Sequence, residues 1–142
     1  MMFNRIMLAA DGSEYSLKAA EKAIYLAKAN PESKITVVHV VDELPSRSDV
    51  MDAEFQPRDI PEHRKAQIEN VKKILKESDV NFEVRHIFGD PGPALVGESL
   101  DMNADLILIG SRGLNTFQQM VLGSVSHKVA KRAKCPVMIV KE

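Results

Sequence analysis

Two short stretches of this chain have residue types and spacing that could do chemistry. The first is Gly110-Ser111-Arg112-Gly113; nine residues later comes Gly123-Ser124-Val125-Ser126. An apolar run, Leu106-Ile107-Leu108-Ile109, leads into the first stretch, and a helical pattern from His127 to Ala133 follows the second. Glycines therefore stand where a strand ends, and a Gly-Ser pair stands where a helix begins. Glycine lets the backbone take positive φ and lets a ligand approach the main chain. A helix start offers unpaired N–H groups and the positive end of the helix dipole. The two together suit a phosphate group. Ser124 and Ser126 add hydroxyls that can cap the helix or bind phosphate oxygens. A plainer reading stays open, in which the glycines only turn a surface loop.

Other chemistry is thin. No Gly-Lys-Ser/Thr follows a glycine at Walker spacing, and the dinucleotide pattern G-x-G-x-x-G does not occur. No His, Cys or acid cluster has metal-ligand spacing, and no nucleophile has an adjacent base in sequence. His39 alternates with Val38 and Val40 and reads as a hydrogen-bonded histidine of the core or an edge. His127 reads as a surface residue, and His63 and His86 show no partner. The single cysteine, Cys135, excludes an internal disulfide and fits a reducing compartment. Arg112 could meet a phosphate or face solvent. Asp11 precedes Gly12, a pairing that is also common turn chemistry.

Charge says more by place than by sum. The net charge is −1, which gives no pull toward nucleic acid or an anionic membrane. Residues 111–142, however, carry six Lys or Arg and one acid. That basic stretch surrounds the glycine motif. Lys128, Lys131, Arg132 and Lys134 could equally serve only the C-terminal end of a helix dipole. No apolar stretch reaches membrane-spanning length and no secretory signal pattern opens the chain, so a soluble cytoplasmic protein is expected.

The elements that must hold these residues read as follows. The length of 142 residues suits one domain, residues 1–142, with its own core. Phe3 to Ala10 is a strand, and Asp11-Gly12-Ser13 a turn whose serine can cap a helix from Glu14 to Ala29. Lys34 to Val41 is a continuous apolar strand of the kind buried on both faces. Residues 42–62, with three prolines and seven acids, read as a loop that could lie over a ligand or be a plain connection. A helix is expected over Glu62 to Ser78, with Ile68, Val71 and Leu75 inward, and a strand over Val80 to Phe88. Gly89 to Pro93 reads as a turn, Ala94 to Asn103 as a short helix, and Val137 to Val140 as a last strand. Strands alternating with helices imply a parallel sheet covered on both faces.

The G-x2-G-x9-G-S motif resembles the nucleotide-binding signature of the universal stress protein family. Ala10-Asp11-Gly12-Ser13, His39-Val40 and Cys135-Pro136-Val137 extend the resemblance over nearly the whole chain. The resemblance implies an open five-stranded parallel sheet in the order 3-2-1-4-5, Rossmann-like, with about four helices. In that order strands one and four are neighbours with connections on opposite faces, where open α/β sheets bind ligands. It further implies ATP as ligand, with any Mg²⁺ held through the phosphates. The backbone around Ala9, Ala10 and Val40 would line the adenine, and Asp11, Gly110, Arg112 and Gly113 would border ribose and phosphates. Gly123, Ser124, Val125 and Ser126 would hold the phosphates. Relatives of this type suggest a homodimer joined through the last strand. The function expected is a nucleotide-binding regulatory module of the stress response. An enzyme on the same scaffold, hydrolysing ATP or transferring a phosphoryl or adenylyl group, stands as the alternative. A flavin or nicotinamide carrier fits less well, since the chain has no Trp and only two Tyr to stack on a flavin.

Overall fold

The computed structural model describes residues 3–41, 60–112 and 123–141. The proposed covering loop falls almost wholly outside the described residues, and so does Gly113. Five strands, β1 (Arg5–Ala9), β2 (Lys34–Val41), β3 (Phe82–Phe88), β4 (Leu106–Gly110) and β5 (Val137–Val140), form one sheet in the order β3-β2-β1-β4-β5. All the pairings are parallel. The helices are α1 (Glu14–Ala29), α2 (Glu62–Lys65), α3 (Glu69–Glu77), α4 (Pro91–Asp101) and α5 (Ser124–Arg132).

Strand periodicity sorts the core into two layers. Ile6 and Leu8 of β1, Ile35 and Val37 of β2, and Leu106 and Leu108 of β4 face α1 and α3. Those helices return Ala19, Ala20, Ala23, Val71 and Leu75 to the same layer, and the 3-10 turn before α3 adds Ile68. Met7, Ala9, Val38, Ile107 and Ile109 point the other way, against Leu95 of α4 and Val129 of α5. Each fully buried Val, Leu or Ile contributes about 1.5–3 kcal/mol by leaving water. The alanine stripe of α1 lets that helix lie close to the sheet.

Helix α1 and strands β2 and β5 have the bounds expected from sequence; the other elements differ. The strand expected over Phe3 to Ala10 spans Arg5–Ala9, the apolar run Leu106 to Ile109 continues as strand through Gly110, and the helix expected over His127 to Ala133 runs Ser124–Arg132. The helix expected over Glu62 to Ser78 is broken by a 3-10 turn, Ala66–Ile68, between α2 and α3. Its inward residues, Ile68, Val71 and Leu75, are buried as expected. The helix expected from Ala94 starts at Pro91, because proline fits the first helical turn, where its missing N–H costs nothing. β3 begins at Phe82 rather than Val80, because its register with β2 begins there, Phe82 opposite Ile35, two residues past the left-handed turn at Asp79 (φ 56°).

Candidate functional site

The C-terminal end of β1 carries a tightly tied turn. The Ala10 N–H still donates to the Val38 carbonyl at 3.1 Å, extending the sheet past the strand. The Asp11 carboxylate accepts from the Ser13 N–H at 2.9 Å, an Asx turn. Ser13 then caps α1 by accepting from the Ser16 N–H at 3.2 Å. Gly12, between them, has φ of 88°. The Gln67 carbonyl of the 3-10 turn sits against the Gly12 α-carbon, and Asn70 Nδ2 donates to the Gly12 carbonyl at 3.3 Å. The helix break thus seats residues 67 and 70 on the Asp11-Gly12 turn.

β4 lies beside β1 with Leu8 opposite Leu108, so two residues on Ala10 and Gly110 end the neighbouring strands at the same level. Gly110 is buried, and a side chain there would begin 2.6 Å from Tyr15 Cβ and 2.8 Å from the Tyr15 main chain. This glycine lets the start of α1 cross the end of β4. Beyond it, the Ser111 N–H donates to the Val140 carbonyl of β5 at 2.9 Å. The Ser111 carbonyl accepts from the Gly123 N–H at 2.6 Å and from the buried Ser126 hydroxyl at 3.0 Å. The start of α5 is thereby pinned to the end of β4. Gly123 has no side chain with which to cap that helix, and the first helical bond runs from the His127 N–H to the Gly123 carbonyl. The N–H groups of Ser124, Val125 and Ser126 fall in the first turn, which has no intrahelical acceptor for them.

The structure gathers Ala9, Ala10, Asp11 and Val40 at the ends of β1 and β2, and Gly110, Arg112, Gly123, Ser124, Val125 and Ser126 at the end of β4 and the start of α5. Ser124 is exposed, Arg112 and Val125 are half-buried, and the Ser126 hydroxyl is engaged with carbonyls. Ser126 therefore offers a ligand its main-chain N–H rather than its hydroxyl hydrogen. Lys131 and Arg132 occupy the last turn of α5, where they complement the helix dipole. The stem of Lys128 lies against Gly92 of α4.

Sequence reasoning missed one arrangement. His39 and His86 are partners in the β2–β3 register, with their Nδ1 atoms 2.9 Å apart. Burial holds the His39 imidazole below its usual pKa, and burial with the neighbouring His39 pushes His86 down to about 4. Only the register could have revealed the pair, because the two residues are 47 apart in sequence. No group of three or more His, Cys, Asp or Glu among the described residues could hold a metal ion. Cys135 is a half-buried free thiol, and burial raises its pKa. No helix of the described residues is long and apolar enough to cross a membrane.

Comparison with known proteins adds the lineage. Residues 2–141 match the sequence profile described as "Universal stress protein family". The chain is 32% identical to universal stress protein YxiE of Bacillus subtilis over 99% of this chain and all of that one. It is 30% identical to a universal stress protein of Methanocaldococcus jannaschii, covering 99% of this chain and 84% of the relative. A crystal structure of a universal stress protein in complex with cAMP superposes with TM-score 0.73 at 27% identity, over 99% of this chain and 98% of that one. An Archaeoglobus fulgidus universal stress protein in complex with dAMP superposes with TM-score 0.71 at 20% identity, over 99% of this chain and all of that one. With the five-stranded order and a family match over nearly its full length, this chain belongs to the universal stress protein family.

Proposed function

We propose that this protein is an adenine-nucleotide-binding regulatory module of the stress response, that ATP is its nucleotide, and that it acts as a cytoplasmic homodimer. The observation that carries the nucleotide reading is the pinning of α5 to β4, with Gly123 N–H on the Ser111 carbonyl at 2.6 Å. It presents an uncapped helix start beside the β1 turn, at the point where open α/β sheets take ligands. The cAMP and dAMP held by two family structures support adenine as the base.

In this reading the first-turn N–H groups of Ser124, Val125 and Ser126, with the Ser124 hydroxyl, hold the phosphates. Gly123 leaves their approach open. Asp11, Gly110, Arg112 and Gly113 border the ribose and phosphates, and the main chain around Ala9, Ala10 and Val40 receives the adenine. Any Mg²⁺ is carried through the phosphates. Hydrogen bonds to a charged group contribute about 1.5–3 kcal/mol each. A handful, less the cost of ordering the ligand, suits micromolar binding, about −8 kcal/mol.

Calorimetric titration of ATP tests the site. Gly123→Val and Gly113→Val should each abolish binding while circular dichroism stays that of the parent. Ser124→Ala should lose only about 1–2 kcal/mol, one hydroxyl's share. Parent-like affinity in both folded glycine variants would reduce these glycines to turn residues and remove the site.

A further inference from the structure

The chain between α2 and α3 meets the Asp11-Gly12 turn with a main-chain group and a side chain. In a continuous helix the Gln67 carbonyl would accept from the Val71 N–H. Here the 3-10 turn Ala66–Ile68 interrupts the helix, and Asn70 Oδ1 takes the Val71 N–H instead, at 2.8 Å. The Gln67 carbonyl sits against the Gly12 α-carbon. Asn70 Nδ2 donates to the Gly12 carbonyl at 3.3 Å. These two bonds fix which way the Asn70 amide lies. Turned over, it would set its NH₂ group against the Val71 N–H and its oxygen against the Gly12 carbonyl.

The Gly12 carbonyl shares a rigid peptide plane with the Ser13 N–H. That N–H donates to Asp11 Oδ1 at 2.9 Å. One plane is therefore held at both ends, by Asn70 on its oxygen and by Asp11 on its nitrogen. Gly12, with φ of 88°, restrains the plane little by itself. Ser13 is anchored on the far side, where its hydroxyl oxygen accepts from the Ser16 N–H at 3.2 Å and its carbonyl from the Leu17 N–H at 3.0 Å. A tilt of the plane is thus passed to the Ser13 N–H and from it to the Asp11 carboxylate.

We propose that Asn70 is a positioning residue of the nucleotide site: through the Gly12–Ser13 peptide it aims the Asp11 carboxylate at the ribose hydroxyls of the nucleotide. The role rests on the nucleotide reading above, in which Asp11 borders the ribose. A carboxylate has about four acceptor sites, so a bond from Ser13 leaves Asp11 able to accept from hydroxyls. Aim matters because a hydrogen bond weakens steeply once its angle falls below about 120°. Asn70 touches no ligand atom in this role. Its effect is confined to ligands whose sugar can give Asp11 a hydrogen bond, which separates it from a plain support of the α3 start.

The test begins without nucleotide. Asn70→Asp keeps an oxygen for the Val71 N–H and loses the donor to Gly12, so α3 keeps its start. Amide exchange of the intact protein, corrected for intrinsic rates, should show Ser13 protection falling about fivefold in Asn70→Asp while Leu17 stays as in the parent. A Ser13 amide as protected as the parent's would overturn the link. Calorimetric titration then compares ATP with 2′,3′-dideoxy-ATP, which has the same base and phosphates without the hydroxyls. Asn70→Ala and Asn70→Asp should each weaken ATP about fivefold and leave 2′,3′-dideoxy-ATP at the parent's affinity. In an Asp11→Ala background, Asn70→Ala should add no further loss. An equal loss for both nucleotides would reduce Asn70 to a structural support and overturn the proposal, as would parent-like ATP affinity in Asn70→Ala. A parent that binds no ATP counts against the nucleotide reading, and the Ser13 amide still decides whether Asn70 holds Asp11.

Discussion

Gly12 and Gly110 both lie in the candidate site, yet the folded backbone also demands each of them. Gly12 has φ of 88° with the Gln67 carbonyl against it, and Gly110 has the Tyr15 main chain 2.8 Å from where a side chain would begin. Gly110→Ala should cost about 1–3 kcal/mol through overpacking. Gly12→Ala should cost more, since left-handed strain of about 1–2 kcal/mol is added to the collision. Gly123 contrasts with both: its φ of −72° suits any residue, and a side chain there would begin 3.2 Å from the Ser111 carbonyl. Thermal melts should therefore rank Gly12→Ala and Gly110→Ala well below the parent and Gly123→Val between them and the parent, since only the Ser111 carbonyl must give way. A Gly110→Ala melt equal to the parent's would show that the α1–β4 approach is slack. The glycines of the motif were legible in sequence, but which of them serve packing was not, because Tyr15 and Gln67 reach them only through the fold. Histidine follows the same rule. An unfolded imidazole titrates near 6.5, while burial lowers both folded values, that of His86 to about 4. Between those values the unfolded chain holds more protons, so stability should be full above about pH 6.5 and fall as the pH drops toward 4. Denaturant midpoints of the parent and of a His39→Gln, His86→Asn double variant should converge in slope above that window and diverge within it.

At the scale of elements, the two edges of the sheet differ in chemistry. β3 carries Glu83, paired with Lys34 at 3.1 Å, and Arg85, paired with Glu98 at 2.7 Å. Charges of this kind discourage strand addition. β5, at the opposite edge, is Val137-Met138-Ile139-Val140, and Met138 is 37% exposed. The proposed homodimer should therefore form through β5 and not β3. Met138→Lys should shift sedimentation at micromolar concentration toward the monomer, whereas Arg85→Ala should leave it unchanged. A parent that sediments as a monomer would remove the dimer altogether. Periodicity gave the bounds of α1, β2 and β5 because their patterns are unbroken and their ends are marked. It failed at the 3-10 turn because Ile68, Val71 and Leu75 keep helical spacing through the break. The break depends on Gly12, a residue of another element.

For the whole molecule, alternation of strands and helices was enough to expect a parallel sheet, while the order β3-β2-β1-β4-β5 came from the family resemblance. Spacing cannot say that β4 returns to the far side of β1. That return has a price in time. β1 is central, paired with β2 on one side and β4 on the other. Its N-terminal end is clasped by the Asp105 carboxylate, which accepts from the Asn4 N–H at 2.8 Å and from Arg5, 100 residues away in sequence. A ribosome making about 5–20 residues per second takes about 5–20 s to supply that partner. During that interval the nascent chain can pair β1 with β2, and then β2 with β3, yet the β4 side of β1 stays uncovered. A chaperone acting on this protein during synthesis would meet it there, as a half-sheet waiting for β4.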